Sequence, residues 1–100
     1  MSADTQKVGF FRLPRELSAA SWQRDVVSAM TALEVSGGLL TVECGELRSF
    51  DDDGLALLIG LSRYSERRQT RVVLSNAPEI LRKNLDSRGL AWLFDWRADS

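Results

Sequence analysis

The stretch Arg48-Ser-Phe-Asp-Asp-Asp-Gly-Leu-Ala-Leu-Leu-Ile-Gly-Leu61 places three carboxylates and a glycine directly before a nearly unbroken apolar run. The apolar run predicts a deeply packed helix that begins at the carboxylates. A carboxylate at a helix start caps exposed backbone N–H groups and opposes the positive end of the helix dipole. One cap needs only one carboxylate, and three adjacent ones repel each other. We therefore expect capping by part of Asp51, Asp52 and Asp53 and display of the rest to a partner, with magnesium binding as a further alternative.

Strand and helix patterns alternate on both sides of this stretch. Strands are predicted at residues 7–13, 39–43 and 70–74, and helices at residues 18–33, 53–68 and 76–89. Residues 39–43 show no polar alternation, which is typical of a strand covered on both faces. This order predicts an α/β domain with a mostly parallel central sheet flanked by α-helices. Residues 90–96 close the domain as an apolar tail with a short last strand.

The sequence also predicts the roles of individual residues in the helices. Asn76 should cap the third helix, since Pro78 and Glu79 follow it at the spacing of a helix start. Gly60 lowers helix propensity, so close packing against a neighbour is its expected reason. An apolar stripe should face the core in the first helix, and it consists of Trp22, Val26, Val27, Met30 and Leu33.

Loop and tail residues have mainly structural interpretations. Glu43 and Arg48 are expected to pair across the loop between them, and Cys44 to act as a small apolar filler. Most of the aromatic cluster in the tail should be core, with part of it available as a contact patch. That cluster consists of Trp92, Phe94 and Trp96.

The composition restricts the possible functions. Thirteen basic and fourteen acidic residues nearly cancel, so nothing predicts nucleic-acid binding. Histidine is absent, which excludes a Ser/His/Asp or Cys/His catalytic arrangement within the chain and zinc sites built from Cys and His. Cys44 is the only cysteine, so no internal disulfide forms and a cytoplasmic location fits. An enzyme is therefore the less favoured class.

The length and the ends of the sequence give further expectations. One hundred residues suit a single domain over positions 1–100, with residues 1–6 flexible. The polar start does not have the pattern of a signal peptide, and no apolar run is long enough for membrane insertion. Loops that leave the carboxyl ends of the predicted strands form the functional edge of such a sheet. These loops lie at residues 14–18, 44–53 and 75–76.

With a buried strand, a short loop and a helix start in this order, the chain resembles the STAS family of anti-sigma factor antagonist-like domains. The family's Asp-Ser-Ser/Thr-Gly-Leu turn corresponds to Asp51-Asp52-Asp53-Gly54-Leu55, so aspartates occupy both hydroxyl positions. Further motifs match in order and spacing at Arg15-Glu16-Leu17-Ser18, Glu43-Cys44-Gly45, Asn76-Ala77-Pro78 and Gly89-Leu90-Ala91-Trp92-Leu93-Phe94. The similarity covers roughly residues 8–94. Many members have an additional first strand and a further last helix, for which this chain has little room.

The resemblance implies a non-catalytic interaction module without a cofactor, which docks an anti-sigma factor or a serine-kinase-like protein. In the family, phosphorylation of the first hydroxyl of the turn switches binding. That position falls on Asp52, which cannot accept phosphate from a serine kinase, so binding is expected to be either constitutive or permanently weakened. The implied partner-binding residues are Glu16, Leu17, Ser18, Asp51, Asp52, Asp53, Gly54, Leu55, Ser75 and Asn76.

Two other functions stay open at this point. Gly54-Leu-Ala-Leu-Leu58 also resembles the small STAS accessory subunits of phospholipid-trafficking ABC transporters, for which the partner would be an ATPase subunit. A carboxylate-based enzyme or nucleotide-binding module is disfavoured, because no glycine-rich phosphate loop is present. Whether the chain forms a homodimer is also open.

Overall fold

Strands and helices alternate along residues 8–98, which are the residues that the structure, a computed structural model, describes. The expectation for residues 1–6 lies outside this range. The strands are β1 (Val8–Arg12), β2 (Glu16–Leu17), β3 (Leu39–Glu43), β4 (Ser49–Phe50), β5 (Arg71–Ser75) and β6 (Asp95–Arg97). The helices are α1 (Ala19–Val35), α2 (Asp52–Arg67) and α3 (Glu79–Ser87), and a short 3-10 turn spans Ala91–Leu93.

The strands form two parallel sheets. The main sheet has the order β1-β3-β5-β6, and β2 pairs with β4 in a separate two-stranded sheet. The predicted α/β fold with a mostly parallel sheet flanked by helices is therefore confirmed. The pair β2-β4 was not predicted, because two residues per strand are too few to give a periodic signal.

All three helices bury side chains against the same face of the main sheet. Leu33, Leu58 and Leu81 join Leu40 and Leu74 in one core cluster. On the opposite face Thr41 is also buried, beside its cross-strand neighbours Phe10 and Val73. The side chains of β3 are thus buried on both faces as predicted, although the three helices lie on only one of them. Phe10 on that face is 56% exposed.

Helix α1 turns a different set of residues inward than its pattern predicts. Val27 is 71% exposed, whereas Ala29 and Ala32 are buried. A Cβ added at Gly9 of β1 would overlap the carbonyl oxygen of Ala32. The helix approaches the strand too closely for large side chains, so alanines occupy the contact and the predicted inward position of Val27 is wrong.

Helix α3 begins without the predicted cap. Asn76 has a positive φ of 56°, and Pro78 takes the N-cap position with no side-chain hydrogen bond. Leu81 and Leu85 are buried, whereas Ile80 is 62% exposed. The cap prediction for Asn76 is therefore wrong, because its side chain bonds elsewhere.

The aromatic tail is divided between core and surface, as predicted. Phe94 is buried and Trp96 is partly buried, with its Nε1 donating to the carbonyl oxygen of Ala91 at 2.9 Å. Trp92 is 72% exposed. The expected last strand is β6, which pairs with β5.

A two-point ion pair joins the edge strand β6 to β5. Nε and Nη2 of Arg71 donate to Oδ2 and Oδ1 of Asp95, both at 2.7 Å. These hydrogen bonds, together with the guanidinium charge, hold the pKa of Asp95 below its usual range.

We predict that Arg71→Ala raises the pKa of Asp95 toward its usual range, measured by NMR titration of its carboxyl carbon. The pKa of Asp95 is lower in the folded than in the unfolded state, so the ion pair stabilises the fold fully at pH values above the unfolded-state pKa. This stabilisation is lost as the pH falls through the folded-state pKa. The stability difference between wild type and variant should therefore disappear in acid. An Arg67→Ala control should leave Asp95 unchanged, and an unchanged Asp95 pKa in Arg71→Ala would contradict the prediction.

Candidate functional site

Asp51 is the N-cap of α2. Its Oδ1 accepts a hydrogen bond from the backbone N–H of Gly54 at 2.7 Å, and its carbonyl oxygen accepts from the N–H of Leu55 at 2.9 Å. The capping interpretation is therefore confirmed for the first of the three carboxylates. Such a cap stabilises a helix by about 1 kcal/mol.

Gly54 allows the start of α2 to touch the backbone of the chain at β2. A Cβ added at this position would overlap the carbonyl oxygen of Leu17 and lie 2.9 Å from the backbone nitrogen of Ser18. The N–H of Asp51 also donates to the carbonyl oxygen of Leu17, at 3.2 Å. Two backbone segments far apart in sequence are thereby held in direct contact.

Close packing of Gly60, in contrast, is not observed. A Cβ added there would have no atom of the described residues 8–98 within 4 Å, and Gly60 itself is exposed. The expectation that Gly60 packs closely is wrong, and the contact that requires a glycine on this helix is at Gly54. The sequence cannot distinguish the two glycines, because the obstacle at Gly54 comes from a distant segment.

The other two carboxylates of the turn point to the surface. The side chain of Asp52 is 91% exposed, and its Oδ1 accepts from Nη2 of Arg88 at 3.2 Å. Asp53 is exposed in the first turn of α2. Among residues 8–98 no group of three or more His, Cys, Asp or Glu side chains is arranged to hold a metal ion.

Ser18 starts α1 beside this turn. Its Oγ accepts from the N–H of Ser21 at 3.2 Å, and its own N–H donates to Oγ of Ser21 at 2.9 Å. This reciprocal pair is a capping box, so the starts of α1 and α2 are both fixed by side-chain caps.

A groove of about 260 Å³ joins the two capped helix starts. It brings together one end of β2, one end of β4 and both N-cap residues. Its lining residues are Glu16, Leu17, Ser18, Ser49, Phe50 and Asp51.

Several implied partner-binding residues are buried beneath this surface. Leu17 is 0% exposed, Leu55 1% and Ser75 1%, and Gly54 is buried as well. Their side chains cannot contact a partner in this structure, so their part in the site is to hold the backbone. Exposed side chains come from Glu16, Asp51, Asp52 and Asp53, while Ser18 is half-buried.

Ser75 and Asn76 belong to a neighbouring cluster rather than to the groove. Nδ2 of Asn76 donates to Oε1 of Glu43 at 3.2 Å, and Oε2 of Glu43 accepts from the N–H of Gly45 at 2.7 Å. Both carboxylate oxygens of Glu43 are therefore occupied locally. The predicted ion pair between Glu43 and Arg48 is wrong for this reason.

Cys44 lies under the same edge and has the expected filler role. Its side chain is fully buried, and burial raises the pKa of its thiol to about 12. At neutral pH the thiol stays protonated, so it has little nucleophilic character.

The sequence prediction missed a group of three arginines. Arg15, Arg24 and Arg48 line an open cavity of about 530 Å³ next to the groove. Arg15 and Arg48 each directly precede one of the paired strands β2 and β4. That shared position is the only sequence signal, and it becomes visible only when the pairing of the strands is known.

Comparison with known proteins identifies the fold of this chain. No family model matches the chain, and no curated protein matches its sequence. The arrangement of strands, helices and capped turn is the STAS fold, so the expected resemblance is confirmed at the level of fold. One solved structure that shares this fold is that of "the Anti-Sigma Factor Antagonist SpoIIAA in its Unphosphorylated Form". The match has a TM-score of 0.71 and 21% sequence identity, and covers 99% of this chain and 85% of that chain.

We predict opposite effects for alanine at the two glycines of α2. Both Gly54→Ala and Gly60→Ala gain helix propensity, roughly 1 kcal/mol. Only Gly54→Ala also forces a Cβ into the carbonyl of Leu17, an overlap of the kind that costs about 1–3 kcal/mol or more. Urea unfolding should show Gly54→Ala less stable than wild type and Gly60→Ala equally or more stable. Equal stability of the two variants would contradict the proposed contact.

Proposed function

We propose that this chain is a non-catalytic protein-interaction module that docks an anti-sigma factor or serine-kinase-like protein through the turn at residues 51–55. The observation that carries the proposal is the display of Asp52 and Asp53 on a turn whose backbone is fixed by the Asp51 cap and the Gly54 contact. The shared fold with an anti-sigma factor antagonist supports the same function.

The docking surface consists of the exposed or partly exposed side chains around the groove, namely Glu16, Ser18, Asp51, Asp52 and Asp53. Leu17, Gly54 and Leu55 support it from below. Most of this surface is acidic, so we expect the partner to present basic side chains to it. Asn76 is half-buried and extends the surface along the same edge of the sheet through its hydrogen bond to Glu43, whereas the buried side chain of Ser75 only supports it.

We further propose that docking is not switched by phosphorylation of the turn. The motif position that carries the first hydroxyl in the STAS family is Asp52 here. A phosphoserine carries about −1.5 to −2 charges at pH 7, whereas an aspartate carries one. That single charge is also partly compensated by Arg88 at 3.2 Å. We infer that binding is constitutive.

The remaining expectations fit this proposal. We propose a cytoplasmic location, because a serine-kinase-like partner needs the ATP present there. We also propose that residues 1–100 form one domain. No helix within residues 8–98 is long and apolar enough to cross a membrane.

We predict that wild type binds a purified anti-sigma factor of the serine-kinase type in calorimetry and gains no phosphate from it with ATP. Asp52→Ser should bind the same protein and become phosphorylated at residue 52, since a hydroxyl then occupies the motif position. Asp52→Arg should weaken binding at least about tenfold, because it reverses the charge at the centre of the surface.

Glu66→Ser at the other end of α2 is the matched control and should neither change binding nor gain phosphate. If neither wild type nor Asp52→Ser binds candidate kinases, and Asp52→Ser stays unmodified, the proposal fails. Stoichiometric copurification with a transporter ATPase subunit instead would support the transporter accessory role.

A further inference from the structure

The pairing of β2 with β4 places two arginines side by side. Glu16 pairs with Ser49 in parallel register, so Arg15 and Arg48, each one residue earlier, are neighbours on the same side of this small sheet. The carbonyl oxygen of Arg15 accepts from the N–H of Arg48 at 2.7 Å and from the N–H of Ser49 at 3.1 Å. These bonds fix the two backbones, and therefore the origins of both side chains.

Arg24 from α1 adds a third guanidinium to the same cavity, which has a volume of about 530 Å³. All three arginines are exposed, and within residues 8–98 none of them forms an ion pair. Among residues 8–98, Glu16 is the only carboxylate that lines the cavity, so three positive charges and one negative charge give a local balance of +2. The whole chain has a net charge of −1.

This arrangement favours an anionic ligand. Like charges placed directly opposite each other on paired strands repel, and a bound anion relieves that repulsion. Guanidinium groups bind carboxylates through two parallel hydrogen bonds, which gives both strength and direction. A cavity with three such groups on fixed backbones is therefore complementary to several carboxylates at once.

The cavity also continues into the groove between the capped helix starts, because Glu16 and Ser49 line both. A single inorganic anion would fill only a small part of the volume, whereas an extended peptide can run from the cavity into the groove. Within the part of the chain that the structure describes, no aromatic side chain or glycine-rich loop lines the cavity to hold a nucleotide base or its phosphates.

We propose that the cavity lined by Arg15, Arg24 and Arg48 binds an acidic peptide segment of the protein that docks on the turn at residues 51–55. That this peptide belongs to the docking partner rests on the proposed function. The partner would then have two complementary regions, a basic one against Asp52 and Asp53 and an acidic one against the arginines. Such an alternation of charge fixes the orientation of the two proteins.

The probe for this proposal is a fluorescein-labelled hexaglutamate peptide, titrated into the 15N-labelled protein at low ionic strength. We expect the backbone amide signals of Arg15, Arg24 and Arg48 to shift, and fluorescence anisotropy to give saturable binding that weakens with salt. The double variant Arg15→Ala/Arg48→Ala should bind the peptide at least about tenfold more weakly. Its amide spectrum reports whether it is folded, and the single variant Arg24→Ala provides a second test if it is not.

The matched control is Arg63→Ala/Arg67→Ala, which removes two exposed arginines from α2 and should leave the peptide affinity unchanged. Equal loss in this control, or peptide-induced shifts that avoid the cavity, would overturn the proposal. The proposal would also be overturned if inorganic phosphate shifted the same amide signals to saturation and hexaglutamate did not, because the occupant would then be a free anion. The assay needs no protein partner, so its failure is distinguishable from failure of docking at Asp52.

Discussion

The contact between Gly54 and the backbone at Leu17 and Ser18 is the constraint on which the rest of the site depends. It leaves no room for a Cβ and brings the start of α2 against the segment that links β2 to α1. The hydrogen bond from Asp51 to the carbonyl of Leu17 closes the same junction. Because both helix starts meet here, their caps, the groove and the exposed carboxylates all take their positions from one backbone contact.

This junction separates the supporting residues from the displayed ones. Leu17 and Leu55 lie in the core, whereas Asp52 and Asp53 extend into solvent from the first turn of α2. The same two-stranded sheet that supports the junction also aligns Arg15 with Arg48. An acidic surface and a basic cavity therefore adjoin each other on a common, rigid backbone, which suits recognition of one partner in one orientation.

The parts of the fold with long local patterns could be predicted from the sequence. The apolar run after Asp53 and the apolar run at β3 predicted the central helix and strand, because these patterns lie within residues close in sequence. Contacts between distant segments could not be predicted. Three features depend on which distant backbone segment lies against a residue. They are the pairing of β2 with β4, the burial of Ala29 rather than Val27, and the close backbone contact at Gly54 rather than Gly60. For the site, the capping role of Asp51 was predictable, while the arginine cavity required knowledge of strand pairing.

We infer that the turn at residues 51–55 is preformed before any partner binds. Amide hydrogen exchange of the free protein tests this most directly. The N–H of Gly54 donates to Oδ1 of Asp51, and the N–H of Asp51 donates to the carbonyl oxygen of Leu17. We predict that both amides are protected to a degree approaching that of Cys44, whose N–H bonds to Ser75 in the core. Exchange of the Gly54 and Asp51 amides at the rate of an unstructured peptide, with Cys44 still protected, would contradict the claim.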